Sequence, residues 1–275
     1  MHNFSDQRKV LLMKKENAMK KYCATVSFAA LLGCLVFLSV PAFADSIIIT
    51  VPGTSDIWLA GMPGGSGASG FAPGTSVVDF AGPQSPVWIN LPIMPGGIMS
   101  FMDVTGAVKN GPQQAAYGPD GNLNPNLGLR HHFQGAQNGI SDITAPHNSL
   151  LGLFLGPDQP DLNSPPPALD FGTQASQDYL ALSPLLQQVF YIGDGLTSGA
   201  DPLRQQVLVP TGATSLYLGT MDGWEWNNNG GSFTLTVEAN PDPVPEPGSF
   251  ILLGTGLGGL AFAYWRRGQR ASNQA

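Results

Sequence analysis

From Ser232 to Val237 the chain alternates without a break, with Phe233, Leu235 and Val237 apolar and Ser232, Thr234 and Thr236 polar. A period of two puts one set on each face of a β-strand, so one face is core. Upstream, Leu216, Tyr217 and Leu218 make a second apolar run, closed by Gly219. The segment predicts strand, polar loop and strand, joined as an antiparallel hairpin. The same texture recurs at Ile47–Val51, Ile57–Ala60, Val77–Phe80, Val87–Leu91, Gly97–Val108, Leu150–Leu155 and Gln206–Val209, with a loose loop from Gly61 to Gly74. Leu180–Tyr191 suggests a helical turn and a strand. With 35 Gly and 24 Pro as punctuation and no helical periodicity between Asp45 and Asn240, the expectation is all-β. Residues 45–240 are expected to form a single antiparallel β-sandwich.

Both ends carry targeting signals. Lys20 and Lys21 follow a plausible internal initiator, Met19, then an apolar run reaches Val40, and Ala42-Phe43-Ala44 offers a small-residue cleavage site before Asp45. Residues 1–44 therefore read as a secretory signal peptide with an apolar helix, and the product as exported. At the other end Pro245-Glu246-Pro247 precedes an apolar segment at 249–265, followed by Arg266 and Arg267. About 17 residues is the lower limit for a transmembrane helix, and the basic residues after it predict a cytoplasmic C-terminus. Residues 241–275 resemble the PEP-CTERM sorting signal of Gram-negative bacteria, in which a Pro-Glu-Pro motif, a membrane helix and an arginine cluster end the chain. That resemblance implies handling by an exosortase and transfer to the cell surface or exopolysaccharide matrix. A simple C-terminal anchor is the alternative. Gly254, Gly256 and Gly259 spell a dinucleotide-binding pattern, but no strand–helix–strand unit surrounds them.

Charge narrows the partners. Residues 45–247 hold 17 acidic residues against 3 basic ones (Lys109, Arg130, Arg204), a net charge of −14. Nucleic-acid binding rests on basic groups neutralising phosphates and is excluded. Both cysteines, Cys23 and Cys34, lie in the leader, leaving the folded part without disulfide or thiol chemistry.

The loop between the last two expected strands is rich in oxygen donors: Asp222, Glu225, Asn228 and Asn229, with Trp224 and Trp226 among them. Hard cations such as calcium take such a set, provided the turn bends back on itself. An Asn-rich turn without a ligand is the other reading. The tryptophans offer an apolar face to a pyranose ring, or one of them packs inward to pin the loop. Zinc is disfavoured for want of clustered Cys, His or Asp partners around His131 and His132. His147 reads as a loop residue before a strand.

Four blocks add to this. Tyr117-Gly118-Pro119, His131-His132-Phe133-Gln134-Gly135, Pro146-His147-Asn148-Ser149 and Leu216–Val237 carry the motifs Y-G-P, H-x-x-Q-G and D-x5-N-N-x-G-S-F. Their layout over roughly residues 98–237 resembles the PA-I (LecA) galactophilic lectins, small calcium-dependent β-sandwiches. The resemblance implies a jelly-roll, galactose-binding-like sandwich. It also implies calcium held by the Tyr117 carbonyl oxygen, Asp222, Glu225, Asn228 and Asn229, with sugar contacts from His131 and Gln134. Asp222, Trp224, Trp226 and Asn228 join the sugar set because a cation with open positions binds vicinal hydroxyls beside its own ligands.

No G-x-S-x-G, H-E-x-x-H or cysteine nucleophile occurs, and no carboxylate spacing selects an acid/base pair, so no enzyme is expected. The chain is expected to bind carbohydrate, galactose-like, by way of calcium. The rivals are a structural matrix protein with a calcium-stiffened loop and an unrecognised polysaccharide hydrolase.

Overall fold

A computed structural model describes residues 45–72, 75–90, 94–124 and 128–240. The signal segment 1–44, the sorting motif with Pro245, Glu246 and Pro247, the helix expected at 249–265, and Arg266 and Arg267 lie outside the described residues. Regular structure among the described residues is strand, apart from one α-helical turn at Gln174–Gln177 and two 3-10 turns. No described helix is long and apolar enough to cross a membrane. The fold is all-β.

Two sheets carry the core. In the first, β1 (Asp45–Pro52), β14 (Gly230–Ala239), β5 (Ile98–Lys109), β12 (Gln206–Leu208) and β10 (Ala181–Leu182) lie side by side in that order. In the second the order is β11 (Phe190–Tyr191), β8 (Leu150–Leu155), β13 (Ser215–Thr220) and β4 (Val87–Ile89). One apolar cluster draws on both, with Val51, Phe101, Phe233, Leu235 and Val237 from the first and Ile89, Leu153, Phe154, Leu216 and Leu218 from the second. Phe190 links them, its ring centroid 5.5 Å from Phe154 and 6.4 Å from Phe101. Two small units flank these sheets: a ribbon of β2 (Gly67–Ala72) and β3 (Thr75–Phe80), and a group of β6 (Leu129–Arg130), β7 (Ile143–Pro146) and β9 (Leu169–Asp170).

The alternation at Phe233, Leu235 and Val237 is borne out, all three being fully buried. Near Leu235 the pairing of β14 with β5 slips, between Thr105 and Met102 on β5, where Asp103 has φ +52°. Beside the slip Gly106, opposite Phe233, has φ +98°, and a Cβ there would run into the Ser232 carbonyl oxygen, so this position requires glycine.

Several local expectations give way. Strands β13 and β14 do not form a hairpin: β13 pairs with β4 and β8, while β14 pairs with β1 and β5 in the other sheet. Both strands have an apolar face to bury, and placing one in each layer buries both faces against one core. The loop 221–229 therefore bridges the two layers. Ile57–Leu59, expected as strand, is a 3-10 turn, because the Asp56 carboxyl group accepts the Trp58 N–H at 2.9 Å and caps it. The loose loop expected at 61–74 contains all of β2, paired with β3. The helical turn expected within 180–191 lies earlier, at Gln174–Gln177, where Thr173 and Ser176 form a capping box.

The long ladders are antiparallel as expected, but β10–β12 and β7–β9 are parallel. Each of these pairs is separated in sequence by a strand of the second sheet, β11 in one case and β8 in the other. A chain that leaves the sheet and returns this way re-enters in the same direction.

Candidate functional site

The inter-sheet loop opens on a cavity of about 450 Å³ lined by Asn110, Gly111–Gln114, Arg130, His147, Asp222–Glu225 and Asn228. Four chain segments separated in sequence meet there.

Asp222 is the anchor. Its Oδ1 accepts the Gly223 N–H at 2.5 Å and lies 3.3 Å from His147 Nε2, with both side chains nearly buried. His147 is held in turn by its backbone: its N–H donates to the Gly128 carbonyl and its own carbonyl accepts the Asn122 N–H. Asn148, at φ +65°, turns the chain so that its N–H donates to the Met221 carbonyl, while Ser149 accepts the Met221 N–H. The start of β8 is thereby stitched to the loop one residue before Asp222. Half-buried Trp224 donates its Nε1–H to Glu225 Oε2 at 3.3 Å.

Of the residues the sequence singled out, Asp222, Trp224, Glu225 and Asn228 share the cavity wall. Tyr117 pairs with Val108, its carbonyl accepting the Val108 N–H at 2.9 Å. Val108 lies opposite Gly231, two residues past Asn229, so Tyr117 sits at the same end of the fold as the asparagines but is not part of the wall. Asn228 and Asn229 do not face the same way. Asn228 is exposed on the cavity, whereas Asn229 is nearly buried and donates Nδ2–H to the Gly53 carbonyl at 3.2 Å. Asn229 Oδ1 is enclosed without a hydrogen-bond partner.

The two tryptophans divide. Trp226 is 1% exposed, and its ring packs 5.4 Å from Trp58 and 5.9 Å from His132. Its Nε1–H donates to the Thr220 carbonyl at 2.9 Å. The sugar-contact role expected for Trp226 is therefore corrected: the ring is enclosed in the core. Trp224 keeps its place at the opening. His131 and Gln134 are exposed and outside the cavity wall; the His131 ring meets Phe133 edge-on at 5.7 Å. Between them His132 points inward, stacked on Trp58 at 4.2 Å with its Nδ1 2.9 Å from the Gly135 carbonyl.

Sequence reasoning passed over His147 and Arg130 as cavity residues, and it gave Asp79 no role. Asp79, at the end of β3, accepts the N–H groups of Trp226 at 3.1 Å and Asn227 at 3.0 Å, one on each carboxylate oxygen. It clamps the far side of the loop across 147 residues of sequence. A lone Asp in a strand carries no signal of this kind.

Asp79 and Asp56 are both fully buried near Asp222. Burial, opposed by the two backbone N–H groups, pushes the Asp79 carboxyl up to about 6, with Asp222 and Glu225 adding to the rise. Asp56 is driven well above the carboxylate range, first by burial and then by Asp79. A carboxyl whose folded pKa exceeds its unfolded value binds protons more tightly when folded, so its contribution to stability is lost as pH rises. For Asp79 the window runs from about 4 to about 6. Burial moves His132 the other way, below its usual value, so acidification below about 6.5 costs stability there. Asp79→Asn separates the two: in a series of melting temperatures at fixed ionic strength, the wild type minus variant difference is expected to shift against the wild type between pH 4 and 6. A difference that stays flat across that window refutes the assignment.

Among the described residues no three His, Cys, Asp or Glu side chains group to hold a metal ion. Any cation here would rest on Asp222 and Glu225 with neutral oxygens. Asn229 Oδ1, buried and unpaired, is the kind of atom such a cation would satisfy.

Residues 243–267 match the PEP-CTERM protein-sorting motif. No curated protein is significantly similar to the chain. The motif marks an exported, surface-sorted protein, anchored transiently at the membrane before exosortase processing.

Proposed function

We propose that the sorted domain is a calcium-dependent carbohydrate-binding protein of lectin type, acting without catalysis. The observation that supports this most is the pairing of a polar cavity walled by Asp222, Glu225, Asn228 and Trp224 with a buried, unpaired amide oxygen on the adjacent Asn229. Calcium favours a mixed set of carboxylate, amide and carbonyl oxygens at flexible coordination number, and a loop that bridges two sheets gives it a rigid seat. The two-sheet, all-β architecture suits the jelly-roll, galactose-binding-like sandwich that the sequence resemblance implies. In this reading Asp222, Glu225 and Asn228 hold the ion at the wall, and Asn229 and the Tyr117 carbonyl oxygen, which stand outside it, complete the set by turning toward the ion when it binds. His131 and Gln134 act from the rim. The ion binds vicinal hydroxyls of a galactose-like sugar, Trp224 covers the apolar face of the same ring, and the surface or exopolysaccharide matrix supplies the glycan.

A second reading has its own support. Asp222, Asn229 and Trp226 all bond to the protein itself, and Asp79 holds the loop from behind. The loop in that case stiffens a structural matrix protein. Calorimetry of the full chain with calcium and then galactosides separates the two. Carbohydrate binding predicts calcium uptake followed by a calcium-dependent sugar response. Uptake with no sugar response favours the structural role, and no uptake removes calcium from both. Turnover of a polysaccharide panel would show a hydrolase instead.

A further inference from the structure

Phe133 and Trp224 form an aromatic ledge beside the cavity, their ring centroids 4.8 Å apart and tilted by 31°. Two loops are pinned together to make it, since the Phe133 N–H donates to the Gly223 carbonyl at 3.0 Å. The ring lies directly over Gly223, where a Cβ would come within 3.0 Å of Phe133 Cε2. Gly223 and Trp224 also line the cavity, so ledge and cavity are continuous.

The exposure of Phe133 follows from its neighbour. His132 is fully buried against Trp58 and opens a turn closed by the Gly135 N–H on its carbonyl, and at the start of that turn Phe133 is left 45% exposed. A large aromatic ring in water forgoes the gain of burial unless a ligand covers it. The His131 ring stands at 78° to it with centroids 5.7 Å apart. The ledge is apolar and partly open to solvent, next to a polar cavity.

We propose that this ledge is a second sugar subsite, which receives the C–H face of the next pyranose ring when the first ring of a neutral oligosaccharide occupies the cavity. The proposal rests on the carbohydrate reading above and extends it from a single ring to a chain. Flat apolar faces bounded by polar edges match aromatic side chains, as in other stacking platforms. Neutral glycan is favoured by the charge: residues 45–247 carry a net −14, and Asp222 and Glu225 outnumber Arg130 at the wall.

The test compares methyl β-galactoside with a linear galacto-tetraose by calorimetry on the full chain in saturating calcium. Wild type is expected to bind the tetraose about five- to tenfold more tightly than the single ring, the range that one aromatic contact supplies. Phe133→Ala should abolish that ratio and keep the single-ring Kd within about twofold, while Phe133→Trp restores the ratio. Equal losses for both sugars in Phe133→Ala, or a wild-type ratio near one, overturn the ledge and leave the cavity reading standing. If wild type responds to neither sugar, the carbohydrate reading falls and the ledge with it.

Discussion

Asp222→Asn is expected to lower calcium affinity on the order of a hundredfold while leaving the calcium-free melting temperature close to that of the wild type. Asparagine keeps an acceptor oxygen for the Gly223 N–H and for His147, so the local hydrogen bonds that Asp222 Oδ1 makes at 2.5 and 3.3 Å survive. What it loses is the charge. Removing one charged partner from a desolvated pair costs roughly 2–5 kcal/mol, and each 1.4 kcal/mol is tenfold in affinity. Glu225, half-buried and hydrogen-bonded to Trp224, then remains as the carboxylate on that wall. Calcium titrations of thermal stability, run in parallel on both proteins, give the comparison. An unchanged calcium response in the variant would show that the ion, if bound, sits elsewhere.

Trp226→Ala is expected to destabilise the fold by about 3–5 kcal/mol, the range for emptying a buried aromatic site. For a domain of this size that is a fall in melting temperature of roughly 6–20 °C. The indole packs against the stacked Trp58–His132 pair and satisfies the Thr220 carbonyl, so truncation opens a cavity and strands a buried acceptor together. Denaturant unfolding of the two proteins measures it, read at constant m-value. A tryptophan that served a ligand from the surface would give a small stability change and a large affinity change. Truncation of half-buried Trp224 is the matched control, since that ring lines the cavity.

The different fates of Trp224 and Trp226 show what local sequence conveys. Two residues apart in a polar loop, they are equivalent by composition and spacing. One is turned inward because the loop crosses from β13 in one sheet to β14 in the other, and the space between the layers has to be filled. The same crossing separates Asn228 from Asn229. Trp226 to Asn229 form a tight turn, closed by the Asn229 N–H on the Trp226 carbonyl, so Asn228 faces the cavity while its neighbour reaches Gly53, 176 residues earlier. The hairpin expectation failed for the same reason: a period of two specifies that a strand has a buried face and says nothing about which strand lies beside it.

Where burial alone decides conformation, the residues were legible. The run Leu150–Leu155 is buried at every position, as a continuous apolar strand should be. Ile57–Leu59 is equally apolar and equally buried, yet it turns, because a single capping contact from Asp56 outweighs apolar content in so short a segment.

The amino-acid sequence by itself determined that this is an all-β protein with an export address and a sorting motif, since alternation, glycine–proline punctuation and terminal signals act through neighbouring residues. Tertiary structure alone decided that Asp79 holds the loop, that His147 meets Asp222 and that Phe133 lies on Gly223. Those contacts join positions between about 75 and 150 residues apart. Bringing them together is the work of one shared core, because only its packing sets which remote segments end up side by side.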